Sequence, residues 1–544
     1  MTRTYLTLDS VSFSLPDGRV VFSDLCFEFD QQATGLVGRN GVGKSVLARL
    51  LCGQLEPTSG RCLRGGSIHY LAQQVQHPAT LSVAGLAGIE PALQALQRIE
   101  AGSVEPADFD TVGDRWDIRR RLQAELLAQG LGHLSLHQRA SELSGGEAMR
   151  VALVGAWIAA PDLLILDEPT NHLDRASRQQ FMEQLSLWPK GLLVISHDRQ
   201  LLQRMSRIVE LSSLGLRSYG GNYEFYDQTR AQDSENVARQ LQQRKHERKQ
   251  GELELARQRE RHERRTAKGN KNAREANQAP ILLGRRKEQS ENSLGKSRTR
   301  ETQAREQLNL RVRQAAQQVE EEVAIRLYAP PEQRFTRRTA ARLQALLMPF
   351  RPARVGTIDL TIEGGQRIGI IGDNGVGKST LLKVLAGHLQ PLSGECSVQV
   401  PVAWLDQQSS ILDPRTSVLE QLLRVNRSVR ESELRTRLAH LDLDAVKMLQ
   451  PTASLSGGER LKAAMACVLY AEEPAQLLLL DEPGNHLDLT SLRALESMLV
   501  QYEGTLMIVS HDETFLERLQ LSHYLHLRND GWTWRAVGEH LDKQ

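Results

Sequence analysis

One short stretch occurs twice in this chain of 544 residues. Gly38-Arg39-Asn40-Gly41-Val42-Gly43-Lys44-Ser45 has its twin in Gly372-Asp373-Asn374-Gly375-Val376-Gly377-Lys378-Ser379. Each copy follows a brief apolar run, Gly35-Leu36-Val37 or Ile368-Gly369-Ile370-Ile371. The pattern predicts a buried strand entering a helix through a Gly-rich loop. Backbone N–H groups of such a loop wrap nucleotide phosphates, its Lys reaches the outer phosphates and its Ser hydroxyl takes Mg²⁺. The helix N-terminus adds a favourable dipole for the anion. A single match could be chance; two in the same context are not.

The duplication extends well beyond the loop. Tyr70-Leu71-Ala72-Gln73-Gln74 is echoed by Trp404-Leu405-Asp406-Gln407-Gln408, and Leu143-Ser144-Gly145-Gly146-Glu147 by Leu455-Ser456-Gly457-Gly458-Glu459. Leu163 to Pro169 recurs as Leu477 to Pro483, and Val194-Ile195-Ser196-His197-Asp198 as Ile508-Val509-Ser510-His511-Asp512. Lys44 and Lys378 are 334 positions apart, as are Gln73 and Gln407, but Ser144 and Ser456 are only 312 apart. The first copy therefore carries 22 extra residues after its Gln motif, in a mostly helical region around 84–139, where Ile118–Gln129 has a helical pattern.

Each repeated motif suits one chemical task. Asp167-Glu168 and Asp481-Glu482 end apolar strands. There the Asp can hold the Mg²⁺ shell and the Glu can polarise the water that attacks a γ-phosphate; positioning and charge neutralisation supply most of such catalysis. His197 and His511 follow further short strands. A lone His there is usually structural, but in both copies, after the acidic pair, it reads as a γ-phosphate sensor. Gln73 and Gln407 are further candidates for Mg²⁺ and the water, on a weaker signal, because Gln is common on surfaces. In Ser144-Gly145-Gly146-Glu147 and Ser456-Gly457-Gly458-Glu459 the paired glycines let backbone approach an anion and the Ser offers a hydroxyl.

The net charge of +2 conceals an asymmetry. Between Arg239 and Arg300 there are 19 Lys plus Arg against 8 Asp plus Glu, a net of +11, so the remainder sums to −9. Asn236–Arg265 is rich in Gln, Arg, Glu and Lys without Pro, which favours a long exposed helix. Thr266–Gly295 gathers Gly, Asn and Pro that break a helix, and helix-forming residues resume from about Lys296 to Glu322. Two antiparallel helices joined by a basic tip are expected, with a merely solvated linker as the competing interpretation. Five scattered cysteines show no metal or redox spacing. No signal peptide is recognisable at the N-terminus, and apolar runs are far short of a membrane span. A cytoplasmic protein is expected.

Together these motifs resemble the ATP-binding cassette proteins, and specifically the ABC-F class, with two cassettes in tandem and no membrane domain. Its marker Asp-Glu-Pro-Thr-Asn-His-Leu-Asp stands intact at Asp167–Asp174; the second copy, Asp481–Asp488, has Gly484 in place of Thr, and Val46 replaces the more usual Thr after Ser45. The resemblance implies an α/β fold: two P-loop NTPase cassettes at 1–228 and 320–544, each with a helical subdomain, and a basic helical-hairpin linker at 229–319. It implies an ATP hydrolase using ATP and Mg²⁺, the cassettes closing head to tail with no obligate partner subunit. Site one would comprise Gly38–Ser45, Gln73, Asp167, Glu168 and His197, capped by Ser456–Glu459. Site two would comprise Gly372–Ser379, Gln407, Asp481, Glu482 and His511, capped by Ser144–Glu147. Both are expected to hydrolyse ATP, with Phe13 and Phe350 as guesses for adenine stacking. The resemblance further implies a ribosomal partner, the linker reaching ribosomal RNA and the peptidyl-site tRNA to regulate translation or protect against ribosome-binding antibiotics. An ATPase subunit energising a membrane transporter in trans is the alternative; a DNA-repair or chromosome-maintenance ATPase is disfavoured by the short inter-cassette helix and the missing zinc cysteines.

Overall fold

A computed structural model describes residues 4–72, 81–170, 173, 175–275, 302–303, 305–313, 339–349, 356–373, 375–406, 410–485, 487–528 and 530–538. Among the sequence-derived candidates, Gln73, Gln407, Asn374, Phe350, the marker residues Asn171, His172, Asp174 and His486, and the apolar tip Ile281-Leu282-Leu283 lie outside the described residues. The chain divides into two compact units, one formed by 1–223 with 323–544 and the other by 224–322.

The first repeat contributes β1 (Leu6–Ser14), β2 (Val20–Phe29), β3 (Ala33–Val37), β4 (Ser59–Arg64), β5 (Ile68–Leu71), β6 (Leu163–Asp167), β7 (Gly191–Ile195), β8 (Arg207–Ser212) and β9 (Gly215–Gly220). They form a three-stranded sheet in the order β2-β1-β4 and a six-stranded sheet in the order β5-β6-β7-β3-β8-β9. The second repeat repeats this plan. Its strands are β10 (Thr339–Leu347), β11 (Ile358–Glu363), β12 (Arg367–Ile371), β13 (Ser393–Val398), β14 (Val402–Leu405), β15 (Leu477–Asp481), β16 (Thr505–Val509), β17 (His523–Arg528) and β18 (Gly531–Ala536). Their orders are β11-β10-β13 and β14-β15-β16-β12-β17-β18. The six-stranded sheets are parallel except at the last edge, where β9 and β18 return antiparallel to their neighbours. Each repeat thus joins to its parallel core an antiparallel edge and a small antiparallel sheet. The edge arises because β8 and β9 are joined by only Ser213 and Leu214, too short for a crossover helix. β6 and β7 are buried at every position, as expected of interior parallel strands covered on both faces.

Buried apolar side chains gather in clusters within each repeat. In the first, Leu36, Leu47, Leu50, Ile165 and Leu193 belong to one cluster around the sheets. Val83, Leu93, Leu96, Ile118, Leu122, Val151 and Val154 form a second, helical one. In the second repeat one cluster again surrounds the sheets, while the other joins the helical region to the strand residues Leu478, Leu480, Leu506 and Ile508.

The extra residues of the first repeat can be placed by its internal bridges. Ser82 pairs with Arg139 and Ser417 with Pro451, closing equivalent loops 57 and 34 positions long. Helix Ile118–Ala128 corresponds to Glu431–His440, so the extra length falls between Ser82 and Ile118. It consists largely of the helices Glu90–Glu100 and Pro106–Val112. Asp108 clasps this pair, accepting from Arg98 at 2.5 Å and from Ser103 at 2.7 Å. The hydrogen bonds and the Arg98 charge hold its carboxyl below the usual carboxylate range.

The unit 224–322 is dominated by a helix spanning Tyr223–Glu275. Ion pairs in register stud it, among them Glu235 with Arg239 at 2.6 Å and Glu252 with Arg248 at 3.8 Å. A second helical stretch includes 302–303 and 305–313. A Cβ added at Gly251 would meet Leu308 at 2.7 Å, and Arg311 electrostatically favours the ionised form of Glu247. Partners that descend on one strand of the pair as they rise on the other make the two stretches antiparallel. The first helix runs ten residues past Arg265, beyond its expected end; up to Glu275 the helix formers Ala, Lys, Arg and Glu outnumber Gly269, Asn270 and Asn272, and one Gly costs only about 1 kcal/mol.

Gly155, on helix Gly145–Ala159, sits where a Cβ would lie 2.1 Å from the Ala87 carbonyl oxygen. The chain turns there to begin the extra helices, and backbone cannot retreat as a flexible side chain could. Gly155→Ala should therefore destabilise the first repeat by about 1–3 kcal/mol, seen in urea titration as an earlier unfolding transition with ATP absent.

Candidate active site

In the six-stranded sheets β3 lies beside β7 and β7 beside β6. Leu36 pairs with Ile195, and Ile195 with Asp167; in the second repeat Ile370 pairs with Val509, and Val509 with Asp481. Parallel register thus delivers the phosphate loop, the acidic pair and the histidine to one sheet edge, at the carboxyl ends of strands where open α/β sheets hold ligands.

Gly38 to Gly43 form the loop after β3, and Lys44 opens helix Lys44–Leu51. Gly43 takes the N-cap with φ 104° and offers no side-chain cap, leaving the first N–H groups of the helix available to an anion. Its twin Gly377 has φ 95° before helix Lys378–Leu385. Lys44 Nζ donates to the Gly38 and Arg39 carbonyls at 2.7 and 3.1 Å, and Lys378 Nζ to those of Gly372 and Asp373 at 2.7 and 2.9 Å. Burial lowers the Lys44 pKa against the opposing pull of Glu168 and Asp488.

Asp167 and Asp481 are hydrogen-bonded to Ser45 and Ser379, joining each loop to its acidic pair. The Tyr70 hydroxyl also donates to Asp167 at 3.2 Å. Burial raises both Asp carboxyls, with these bonds opposing it. Glu168 and Glu482 adopt φ 50° and 48°, strained for non-Gly residues. Their backbone N–H groups bond the Ile195 and Val509 carbonyls at 2.8 and 3.0 Å, fixing this unusual geometry to the next strand. Burial pushes Glu168 up to about 8 and Glu482 up to about 7, Lys44 and Lys378 opposing. His197 Nε2 lies 3.5 Å from Glu168 Oε1, and His511 Nε2 lies 3.3 Å from Glu482 Oε1. Burial and then Lys44 drive the His197 pKa down to about 3, so its ring is neutral. Neither ring nitrogen of His197, nor Oε1 of Glu482, has a hydrogen-bond partner among the described residues; unpaired buried polar atoms at both centres suit a polar ligand.

Ser144 and Ser456 cap helices Gly145–Ala159 and Gly457–Leu469 through complete capping boxes. Ser144 accepts from the Glu147 N–H at 3.3 Å, while the Glu147 carboxylate accepts from the Ser144 N–H at 2.9 Å and from its hydroxyl at 2.7 Å. Glu459 does the same for Ser456 and also meets Lys447 at 3.0 Å. These glutamates are occupied in shaping the helix starts, with Gly145-Gly146 and Gly457-Gly458 presented as the first backbone N–H groups.

The two repeats touch directly. Asp488 accepts from the Asn40 N–H at 2.7 Å and from the Ser491 N–H at 2.7 Å. Burial pushes its carboxyl up, but these bonds prevail and hold it below the usual range. Arg178 Nη1 donates to the His511 carbonyl at 2.9 Å, Gln200 donates to Glu513 at 3.2 Å, and Arg199 pairs with Glu496. A cleft between the repeats is lined by Glu168, His197, Asp198, Glu482, His511 and Asp512, with Arg178 beside them. Motif reading missed Arg178, Arg199, Glu496 and the contact of Asp488. Asp488 was in view as the end of the marker; the charged partners show only when the repeats are superposed at their 314-residue offset, which sets Arg178 over Leu492 and Glu496 over Met182.

A family model described as ABC transporter matches residues 24–171 and 355–485. The tylosin resistance ATP-binding protein TlrC of Streptomyces fradiae is 30% identical over 544 residues, covering 93% of this chain and 94% of its own. ABC transporter F family member 5 of Arabidopsis thaliana is 28% identical over 538 residues, covering 92% and 72%. The chain belongs to the ATP-binding cassette family, in its F class. It is an ATP hydrolase of that family. A solved RNase-L Inhibitor shares the tandem cassette fold, with TM-score 0.55 and 19% identity over 96% of this chain and 87% of that one. No described helix of this ABC-F protein is long and apolar enough to cross a membrane. Among the described residues no cluster of three or more His, Cys, Asp or Glu could hold a metal ion. The Ser45–Asp167 and Ser379–Asp481 pairs suit Mg²⁺, which is commonly held by one or two side chains together with substrate phosphates.

A buried carboxylate whose folded pKa is raised costs stability that is absent below its ordinary value near 4.5 and grows as pH climbs to about 8. Glu168→Gln should therefore raise the thermal midpoint of nucleotide-free protein by several degrees more at about pH 8.5 than at about pH 5. Equal shifts at both pH values would contradict this account of Glu168.

Proposed function

We propose that this cassette ATPase acts on the ribosome, its two cassettes closing on two ATP molecules and its basic helical hairpin reaching ribosomal RNA and the peptidyl-site tRNA. One observation carries the reading: a segment of net charge +11 separates two matched phosphate-loop cassettes whose combined remainder is −9. Such a hairpin is built to meet RNA phosphates, with counterion release making its affinity fall steeply with salt. Its tip, Lys268 to Lys287, holds no aromatic residue, which favours backbone and shape contacts over base stacking. The named resistance of TlrC to tylosin agrees with a protective role for some members of the class.

Within each site the residues divide the work. Gly38–Ser45 and Gly372–Ser379 bind the phosphates through backbone N–H groups and the lysines. Ser144–Gly146 and Ser456–Gly458 close each site from the opposite cassette, with Glu147 and Glu459 holding those loops in shape. Glu168 and Glu482 orient the attacking water and accept its proton, and His197, neutral by burial, and His511 steady it. Asp167 with Ser45, and Asp481 with Ser379, would hold Mg²⁺, joined by Gln73 and Gln407; the ion would neutralise charge between the β- and γ-phosphates. ATP binding would close the cassettes into the ribosome-binding form, and hydrolysis would release it.

Glu168→Gln combined with Glu482→Gln should slow hydrolysis by about 100-fold or more and make the protein co-sediment with ribosomes in ATP-containing gradients. A double variant that sediments free of ribosomes overturns the ribosomal reading, and one that associates instead with a membrane permease supports the transporter alternative. Neutralising the eight Lys and Arg of 264–287 should leave ATP hydrolysis without ribosomes within about twofold, yet weaken ribosome association by about 100-fold or more near physiological salt. Unchanged association would return the hairpin tip to a solubilising role.

A further inference from the structure

The two hydrolytic centres differ in what the opposite cassette supplies. Arg178 lies on helix Arg175–Ser186 of the first cassette, with its side chain only 10% exposed. Its Nε and Nη2 grip the two oxygens of Asp198 at 2.7 and 2.5 Å. This leaves Nη1 to cross to the second cassette, where it donates to the His511 carbonyl at 2.9 Å. The His511 ring in turn faces Glu482 at 3.3 Å. A chain of polar contacts therefore runs from Asp198 through Arg178 and His511 to the carboxylate that acts in the second site.

The matching position of the second cassette differs in kind. The position matching Arg178 is Leu492, which lines the same cleft but has no donor. The first centre is met by Asp488, which contacts the loop at Asn40 and acts electrostatically on Lys44 and His197. A guanidinium fixed at two corners by one carboxylate presents its remaining N–H groups in a set direction. His511 occupies the short link between β16 and helix Glu513–Arg518, whose N-cap is Asp512. Pinning a carbonyl in that link restricts the ring attached to the same residue.

Building on the assignment of Glu482 as the base of the second site, we propose that Arg178 is a positioning residue acting in trans on that site alone. It fixes the His511 main chain, and through it the ring beside Glu482, once the cassettes have closed. The second site then turns over with a better-oriented water than the first, and the two ATP molecules are hydrolysed at different rates. Small displacements of a catalytic group reduce rate far more than they reduce substrate binding, so the contribution of Arg178 falls on kcat.

Steady-state and single-turnover ATP hydrolysis test this in two backgrounds. With Glu168→Gln only the second site turns over, and Arg178→Leu should lower kcat about tenfold with KM within about twofold. Arg178→Lys, which keeps the charge but loses the fork, should recover part of that loss. In the Glu482→Gln background, which reports the first site, Arg178→Leu should change kcat by less than about twofold. Because Arg178→Leu strands Asp198 as an unpaired buried charge, Arg178→Leu with Asp198→Asn is measured alongside it and should show the same confinement to the second site. An equal loss in both backgrounds, with Lys recovering nothing, makes Arg178 a general interface contact and overturns the inference, as does an unchanged kcat in the Glu168→Gln background. Wild-type hydrolysis by the Glu168→Gln, Glu482→Gln double variant overturns the carboxylate assignment itself and separates that failure from one specific to Arg178.

Discussion

Parallel register between three neighbouring strands is the constraint on which the chemistry depends. β6, β7 and β3 are bonded side by side, and each ends at a motif that would be inert alone. Asp167, the Ser196-His197 link and Gly38 are far apart in sequence, yet pairing through Ile195 aligns the strand ends that carry them. A one-residue slip would turn every side chain of a strand to its other face and disperse the site. β6 and β7 are buried along their whole length, and a slip would carry Asp167, the one charged residue of β6, away from the loop it serves; Asp481 at the end of β15 stands in the same relation to β16 and β12.

On this frame the acidic pair is held under tension. Glu168 and Glu482 have positive φ without being glycine, and each is anchored by a backbone hydrogen bond to the next strand. Their carboxyls are buried next to Asp167 and Asp481, with lysine as the compensating charge. Burial of this kind is a poor way to stabilise a protein and a good way to keep a carboxylate ready to take a proton. The neighbouring His197 stays neutral for the same reason, since burial penalises its charged form.

The duplication is faithful in topology and unfaithful at the surface where its halves meet. The first cassette presents Arg178 and Arg199, whereas the matching positions of the second carry Leu492 and Glu513. Arg199 meets Glu496, which stands over Met182 in the comparison of repeats. Complementary charges of this sort favour pairing of unlike cassettes over like ones, because like-with-like contact would face arginine with arginine. The first cassette also has its clasped pair of extra helices, for which Gly155 leaves room against the Ala87 carbonyl. Outside the cassettes, the basic segment sustains a helix longer than its breaker residues suggested, since Gly269, Asn270 and Asn272 are a small penalty among a majority of helix formers before the Pro280 region.

Much of the fold and the site was legible in the residues alone, because phosphate binding and water activation demand particular groups at particular spacings. The two Gly-rich loops, the acidic pairs at strand ends, the paired histidines and the charge contrast of the middle all follow from local sequence. Sequence also located the extra residues of the first repeat, through a change in offset. Tertiary structure decided what depends on geometry between distant residues. It gave Glu147 and Glu459 to capping boxes, joined Ser45 to Asp167, and set Asp488 against Asn40. It also aimed Arg178 at the His511 carbonyl. Such contacts leave no spacing rule in the chain: a guanidinium finds its acceptor through the packing of whole cassettes, and an arginine on a helix reads the same whether it faces water or a neighbour's active centre.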